Sequence, residues 1–199
     1  MTSAIEVLIP TSSQTVGPFV EIGCKYLESD RVVASSPDMV DVVVRGRVID
    51  GDGNVVPDFM LEIWQPSEPA VIRSEAKACP EERERRRDRS PATAVGFARV
   101  MPLPDGSFAF HTSYAPPGAD DLAPHLTMLV FMRGLLKPVL TRMYFPDDPR
   151  NAADPVLALV PADRHATLVA TAVSVRDALL ELEWNVVLQG ADETVFFEW

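Results

Sequence analysis

A chain of 199 residues, 47% of them hydrophobic, is long enough to bury a sizeable core and short enough for one domain over 1–199. Its formal charge of -11 argues against a nucleic-acid surface, because phosphate binding draws on clustered Lys and Arg. No apolar run approaches the roughly eighteen residues of a membrane span, and the start "MTSAIEVLIPTSSQ" lacks the basic flank and apolar stretch of a secretory signal. A cytoplasmic protein is therefore expected, in which Cys24 and Cys79 remain thiols.

The 18 prolines are about twice the usual share and cut the chain into short segments, which favours strands over helices. An N-terminal arm of about 40 residues comes first. Its "TSSQTVG" supplies hydroxyls without the Gly-x-Ser-x-Gly elbow of a serine hydrolase. The β-branched "DVVVRGRVI", 41–49, leads into "DGDGN", a turn signal, and then into "VVPDFMLEIWQP", where Met60, Glu62 and Trp64 alternate with Leu61, Ile63 and Gln65. That pattern predicts a β-hairpin. Residues 80–91, "PEERERRRDRSP", interleave five arginines with four acids. A charged loop over about 66–95 is expected, solvated because its charges nearly cancel.

"VGFARVMPLPDGSFAFHTSY" repeats the design, with a Pro-Asp-Gly turn at 104–106. "LAPHLTMLVFMRG", 122–134, reads as a further strand partnered by "VLTRMYF", and "LLELEWNVVLQG" and "TVFFEW" read as strands near the end. The one helix expected is "ADRHATLVA" after Pro161, since proline suits a first helical turn. Many short strands with little helix indicate an all-β fold, a sandwich or barrel with mixed or antiparallel sheets.

The three histidines, His111, His125 and His165, show no ligand spacing. "GDGN" lies in a turn between strands rather than between a strand and a helix, so it is no phosphate cradle. A lone histidine at a strand start, such as His125, is most often a hydrogen-bonded structural residue. Arg133 shares its strand face but lies eight residues on, about 26 Å away at 3.3 Å per residue. The two cannot serve one pocket within one chain. Arg133 is either a surface ion-pair partner or an anion ligand in a different pocket.

Read together, "TSSQTVGPFVEIG" (11–23), "VVVRGRVIDGDGNVVPDFMLEIWQ" (42–65), "GSFAFHT" (106–112), "APHLTMLVFMRG" (123–134), "TRMYFPDDPRNAADPVL" (141–157) and "ETVFFEW" (193–199) resemble the intradiol aromatic-ring dioxygenases. The resemblance covers nearly the whole chain, except 66–95. It implies the β-sandwich core of that family. It also implies kinship with members built from two homologous chains, in which the β chain holds non-haem Fe(III) through two tyrosines and two histidines. The family's His-x-His falls on His125 and Thr127, so the second histidine is missing. The first tyrosine position falls in "PSEPAVIR", which has none, and Tyr114 stands several residues too early to count as the second.

The resemblance thus implies a chain that binds no metal, with His125 the remnant of a lost ligand set and the Fe(III) held by a partner β subunit. It implies no catalytic residue in this chain. Instead Thr15, Val16, Gly17 and Pro18 of the arm, with Arg133, would be lent to the partner's site as substrate-binding residues. Val16 stands where the family carries a smaller residue, a departure that would narrow the pocket or shift preference among substituted catechols. The implied reaction cleaves protocatechuate between its hydroxylated carbons with O2 to 3-carboxy-cis,cis-muconate, in the β-ketoadipate route of aromatic degradation, within an (αβ)n hetero-oligomer. Two other readings stand beside it: a non-catalytic β-sandwich binding or interaction module, and a self-sufficient metalloenzyme using His125, His111 and carboxylates.

Overall fold

The computed structural model describes residues 11–17, 19–33, 39–65, 96–114, 123–176 and 179–198. The charged segment 66–95, Cys79 and Pro18 lie outside the described residues. The strands are β1 (Val40–Ile49), β2 (Phe59–Trp64), β3 (Phe97–Val100), β4 (Ser107–Tyr114), β5 (His125–Met132), β6 (Val139–Tyr144), β7 (Thr171–Arg176), β8 (Leu179–Glu183) and β9 (Val186–Val187).

Two sheets face each other. One runs β3-β2-β5-β6 and is antiparallel throughout. The other runs β4-β1-β8-β7, with β9 also on β1. This second sheet is mixed, since β1 pairs antiparallel with β4 and parallel with β8 and β9. The expected all-β sandwich with mixed sheets is what forms.

Period-two alternation builds the core. Val44 and Val48 of β1 point inward while Arg45 and Arg47 between them are exposed. Phe59, Leu61 and Ile63 of β2 and Leu126, Met128 and Val130 of β5 meet them from the other sheet. Phe59 and Phe108 bridge the layers edge to face, their ring centroids 6.1 Å apart, a favoured aromatic geometry.

Neither hairpin expected from the Gly-rich turns forms. β1 and β2 lie in different sheets, as do β3 and β4. The turns themselves are real: Asp50 accepts from the backbone of Asp52 and Asn54, and Gly53 and Gly106 have φ of 81° and 77°. After the first turn, however, Val55 makes one bridge to Ile49 and Val56 one bond back to Val48, and the chain then passes to the other sheet through Pro57 and Asp58. Each strand has a single apolar face, and burying two such faces against each other satisfies the same alternation as pairing edge to edge. The β5–β6 connection, by contrast, is the expected hairpin.

The helical expectation also changes. "ADRHATLVA" forms a 3-10 turn only over Ala162–Thr167, and the chain then continues into β7. The one α-helix among the described residues is α1 (Phe19–Cys24), in the arm. "TVFFEW" contributes no named strand among the described residues; Phe197 makes an isolated bridge to Leu140.

Gly46 is required by packing. Between β8 and β9 the chain passes over β1 at this point, and a Cβ on Gly46 would stand 1.8 Å from the Trp184 carbonyl oxygen and 2.6 Å from the Phe108 ring. The neighbour is backbone, so it cannot swing aside. Gly46→Ala is expected to cost about 3 kcal/mol, at the severe end of overpacking, read as a lowered urea midpoint; an unchanged midpoint would show that the crossing is loosely held.

Candidate active-site surface

The outer face of the β3-β2-β5-β6 sheet carries the residues that the sequence singled out. His125, Thr127, Leu129 and Phe131 of β5 alternate with the core residues Leu126, Met128 and Val130. β5 runs unbroken from His125 to Met132, so His125 and Arg133 stand at opposite ends of it.

At the Arg133 end, two segments distant in sequence meet. The Thr15 hydroxyl accepts a hydrogen bond from the Gly134 backbone N–H at 2.9 Å, across 119 residues. Thr15 is exposed and Val16 and Gly17 are half-buried. Gly17 has φ of 61°, a left-handed conformation that a side chain would strain. Arg133 is 61% exposed at its side chain and forms an ion pair with Asp58, Nη2 to Oδ2 2.5 Å. Thr15, Val16, Gly17 and Arg133 are therefore neighbours on one surface; Pro18 falls outside the described residues.

At the other end, His125 is 5% exposed. Its Nδ1 lies 2.9 Å from the Ala123 carbonyl oxygen, and its ring packs 5.6 Å from that of Tyr144. The Tyr144 hydroxyl donates to Asp154 at 3.0 Å. Asp154 has no exposed surface and also accepts from the backbone N–H groups of Ala123, Val156 and Leu157. One carboxylate thus ties the start of β5, the end of β6 and the turn after them. Burial opposes its charge, yet the Leu157, Tyr144 and Val156 donors hold the carboxyl below the ordinary carboxylate range. Burial raises the Tyr144 phenol and depresses the His125 imidazole, the latter reinforced by the Arg142 charge.

These residues do not suit ferric iron. The tyrosine beside His125, Tyr144, offers no phenolate, because its phenol is held protonated and committed to Asp154. Thr127, at the position of the second histidine, pairs in register with Arg142, whose guanidinium would repel a cation there. His111 lies in β4 on the other sheet, and His165 Nε2 is 2.8 Å from the Val160 carbonyl oxygen, so the histidines do not converge. Among the described residues no group of three or more His, Cys, Asp or Glu is placed to hold a metal ion. The side chain of Tyr114 lies outside the described residues.

Sequence reasoning missed Asp58, Asp154 and Arg142. Asp154 and Asp148 each precede a proline and cap a short turn through their side chains, a signal that Asp-Pro steps do carry. Asp58 carried no local signal.

The family described as Dioxygenase matches residues 25–190. The chain belongs to the intradiol ring-cleavage dioxygenases. Among its intradiol relatives it is 40% identical to a protein named protocatechuate 3,4-dioxygenase alpha chain from Burkholderia cepacia, over 94% of this chain and 96% of that one. A protein of the same name from Pseudomonas putida is 30% identical over 98% of both. The protocatechuate 3,4-dioxygenase beta chain of Burkholderia cepacia is 28% identical over 77% of this chain and 66% of that one. The same fold recurs in the intradiol ring-cleavage dioxygenase from Tetranychus urticae, with a TM-score of 0.56 at 14% identity, covering 81% of this chain and 86% of that one.

The depressed His125 gives a pH signature. Its ordinary value is 6.5; as pH falls through that value the unfolded chain binds a proton that the folded chain refuses, so stability falls with pH. The carboxylates Asp148 and Asp154, lowered from 3.8, give the same sign only in a more acid range. Between pH 7 and 5 the unfolding free energy is expected to decline with a slope of up to about 1.4 kcal/mol per pH unit. Denaturant melts of His125→Gln should show a flatter profile; an identical slope would assign the decline to other groups.

Proposed function

We propose that this chain is the α subunit of a protocatechuate 3,4-dioxygenase, a single-domain chain that binds no metal itself and completes the substrate pocket of a homologous, Fe(III)-holding β subunit. The hydrogen bond from the Gly134 N–H to the Thr15 hydroxyl carries this reading. It draws the arm and the Arg133 turn, 119 residues apart in sequence, into one patch. The alpha-chain relative at 40% identity and the similarity to a beta chain support the pairing. The iron and the oxygen chemistry belong to the partner, and His125 is a remnant that now serves packing.

In this chain the work is positioning. Arg133 presents an always-charged, planar fork that suits a carboxylate. Gly17 lets the arm's backbone approach closely. Val16 narrows the pocket beside them. Phe19, Ile22 and Tyr26 of the same arm are 71%, 72% and 79% exposed. Apolar side chains left in water at three- and four-residue spacing are what a partner chain covers.

In the assembled αβ enzyme, Arg133→Ala is expected to raise KM for protocatechuate about 10- to 100-fold, the loss of one charged hydrogen bond. Plain catechol, which lacks the carboxylate, should be little affected. Steady-state oxygen uptake on both substrates decides: equal losses would remove the carboxylate role.

A further inference from the structure

We infer that Asp58 is a positioning residue that aims Arg133 and thereby sets the preference for carboxylated substrates; the inference rests on the reading of Arg133 given above. β2 and β5 pair antiparallel with Phe59 opposite Met132. One further step of that register sets Asp58 opposite Arg133, and the side chains meet, Nη2 to Oδ2 2.5 Å. The two partners differ in exposure. The Asp58 side chain is 22% exposed against 61% for Arg133, so the carboxylate is fixed in the surface and the guanidinium stands out from it.

The contact is one of charge, since Asp58 Oδ2 is buried and makes no hydrogen bond of good geometry. It occupies one end of the fork. An arginine has five N–H donors in a rigid plane, so the others stay available to an incoming carboxylate. On the far side of Arg133, the next peptide is held by Thr15. The side chain is thus tethered by Asp58 and the backbone by Thr15. An exposed arginine otherwise samples many rotamers, and restricting them beforehand lowers the entropy lost on binding. Asp58 does not itself touch the substrate, because its charge would repel a carboxylate.

The test uses the assembled αβ enzyme with Asp58→Asn, Asp58→Glu, Arg133→Ala and the Asp58→Asn/Arg133→Ala pair, measuring oxygen uptake on protocatechuate and on catechol. Asp58→Asn is expected to raise KM for protocatechuate about 5-fold, the upper range for a part-exposed ion pair, with kcat and the catechol KM unchanged. Asp58→Glu should recover part of the loss. In the Arg133→Ala background Asp58→Asn should have no further effect, because coupled residues are non-additive. Equal losses on both substrates, an additive double variant, or an unchanged KM would overturn the proposal. So would failure of Asp58→Asn, but not Asp58→Glu, to assemble, which would make the pair a packing element. If Arg133→Ala alone fails to distinguish the substrates, the carboxylate role of Arg133 falls, and that is read without reference to Asp58.

Discussion

The register between β2 and β5 decides which residues reach the outer surface of the four-stranded sheet. With Phe59 opposite Met132 and Trp64 opposite Thr127, Leu61, Ile63, Leu126, Met128 and Val130 all face the core. The alternate set, His125, Thr127, Glu62 and Trp64, is turned outward. A slip of one residue would invert both sets and place Glu62 in the apolar layer, so burial fixes the register firmly. That same register carries Asp58 to Arg133 at the end of the strand. The phenylalanine contact between the sheets and the crossing over Gly46 hold the scaffold on which these surface residues are presented.

The two ends of β5 have diverged in kind. At the His125 end the polar groups bond one another beneath the surface: Asp154 collects three backbone donors and the Tyr144 hydroxyl, while His125, on the outer face but buried, is bonded to the Ala123 carbonyl oxygen. A buried polar cluster satisfied in this way specifies structure and leaves little to offer a cation, all the more with Arg142 alongside. At the Arg133 end the polar groups turn outward to solvent, held from behind by Asp58 and Thr15. One end has become packing and the other a presented surface. This division is what an auxiliary chain requires if it shapes a pocket without performing the chemistry.

Much of this was legible in the sequence, for reasons tied to particular residues. Alternation in "FMLEIW" and "HLTMLVFM" placed the strands and sorted their residues into two faces, because period two is a local property of the chain. It could not place β1 and β2 in separate sheets, since pairing at an edge and packing face to face leave the same pattern. Only the additional residues Val56, Pro57 and Asp58, spent in passing from one sheet to the other, separate the two cases. The helix expected over "ADRHATLVA" ran up to the start of β7, a strand whose apolar Val173 and Val175 face solvent rather than the core. Arg133 stood out from its place on the strand and Thr15 through resemblance, and their meeting is a fact of three dimensions. Asp58 was invisible because its role depends on a partner strand some 70 residues later, known only once the register is known.

The most direct measurement is the iron content of the enzyme assembled from this chain and its homologous β chain, expressed per αβ pair. One iron per pair is the result the proposed division of labour predicts, since the Tyr144 phenol is committed to Asp154 and Thr127 stands opposite the Arg142 guanidinium. Two irons per pair would mean that this chain holds a metal of its own, and the division between a chemical chain and a pocket-completing chain would be wrong.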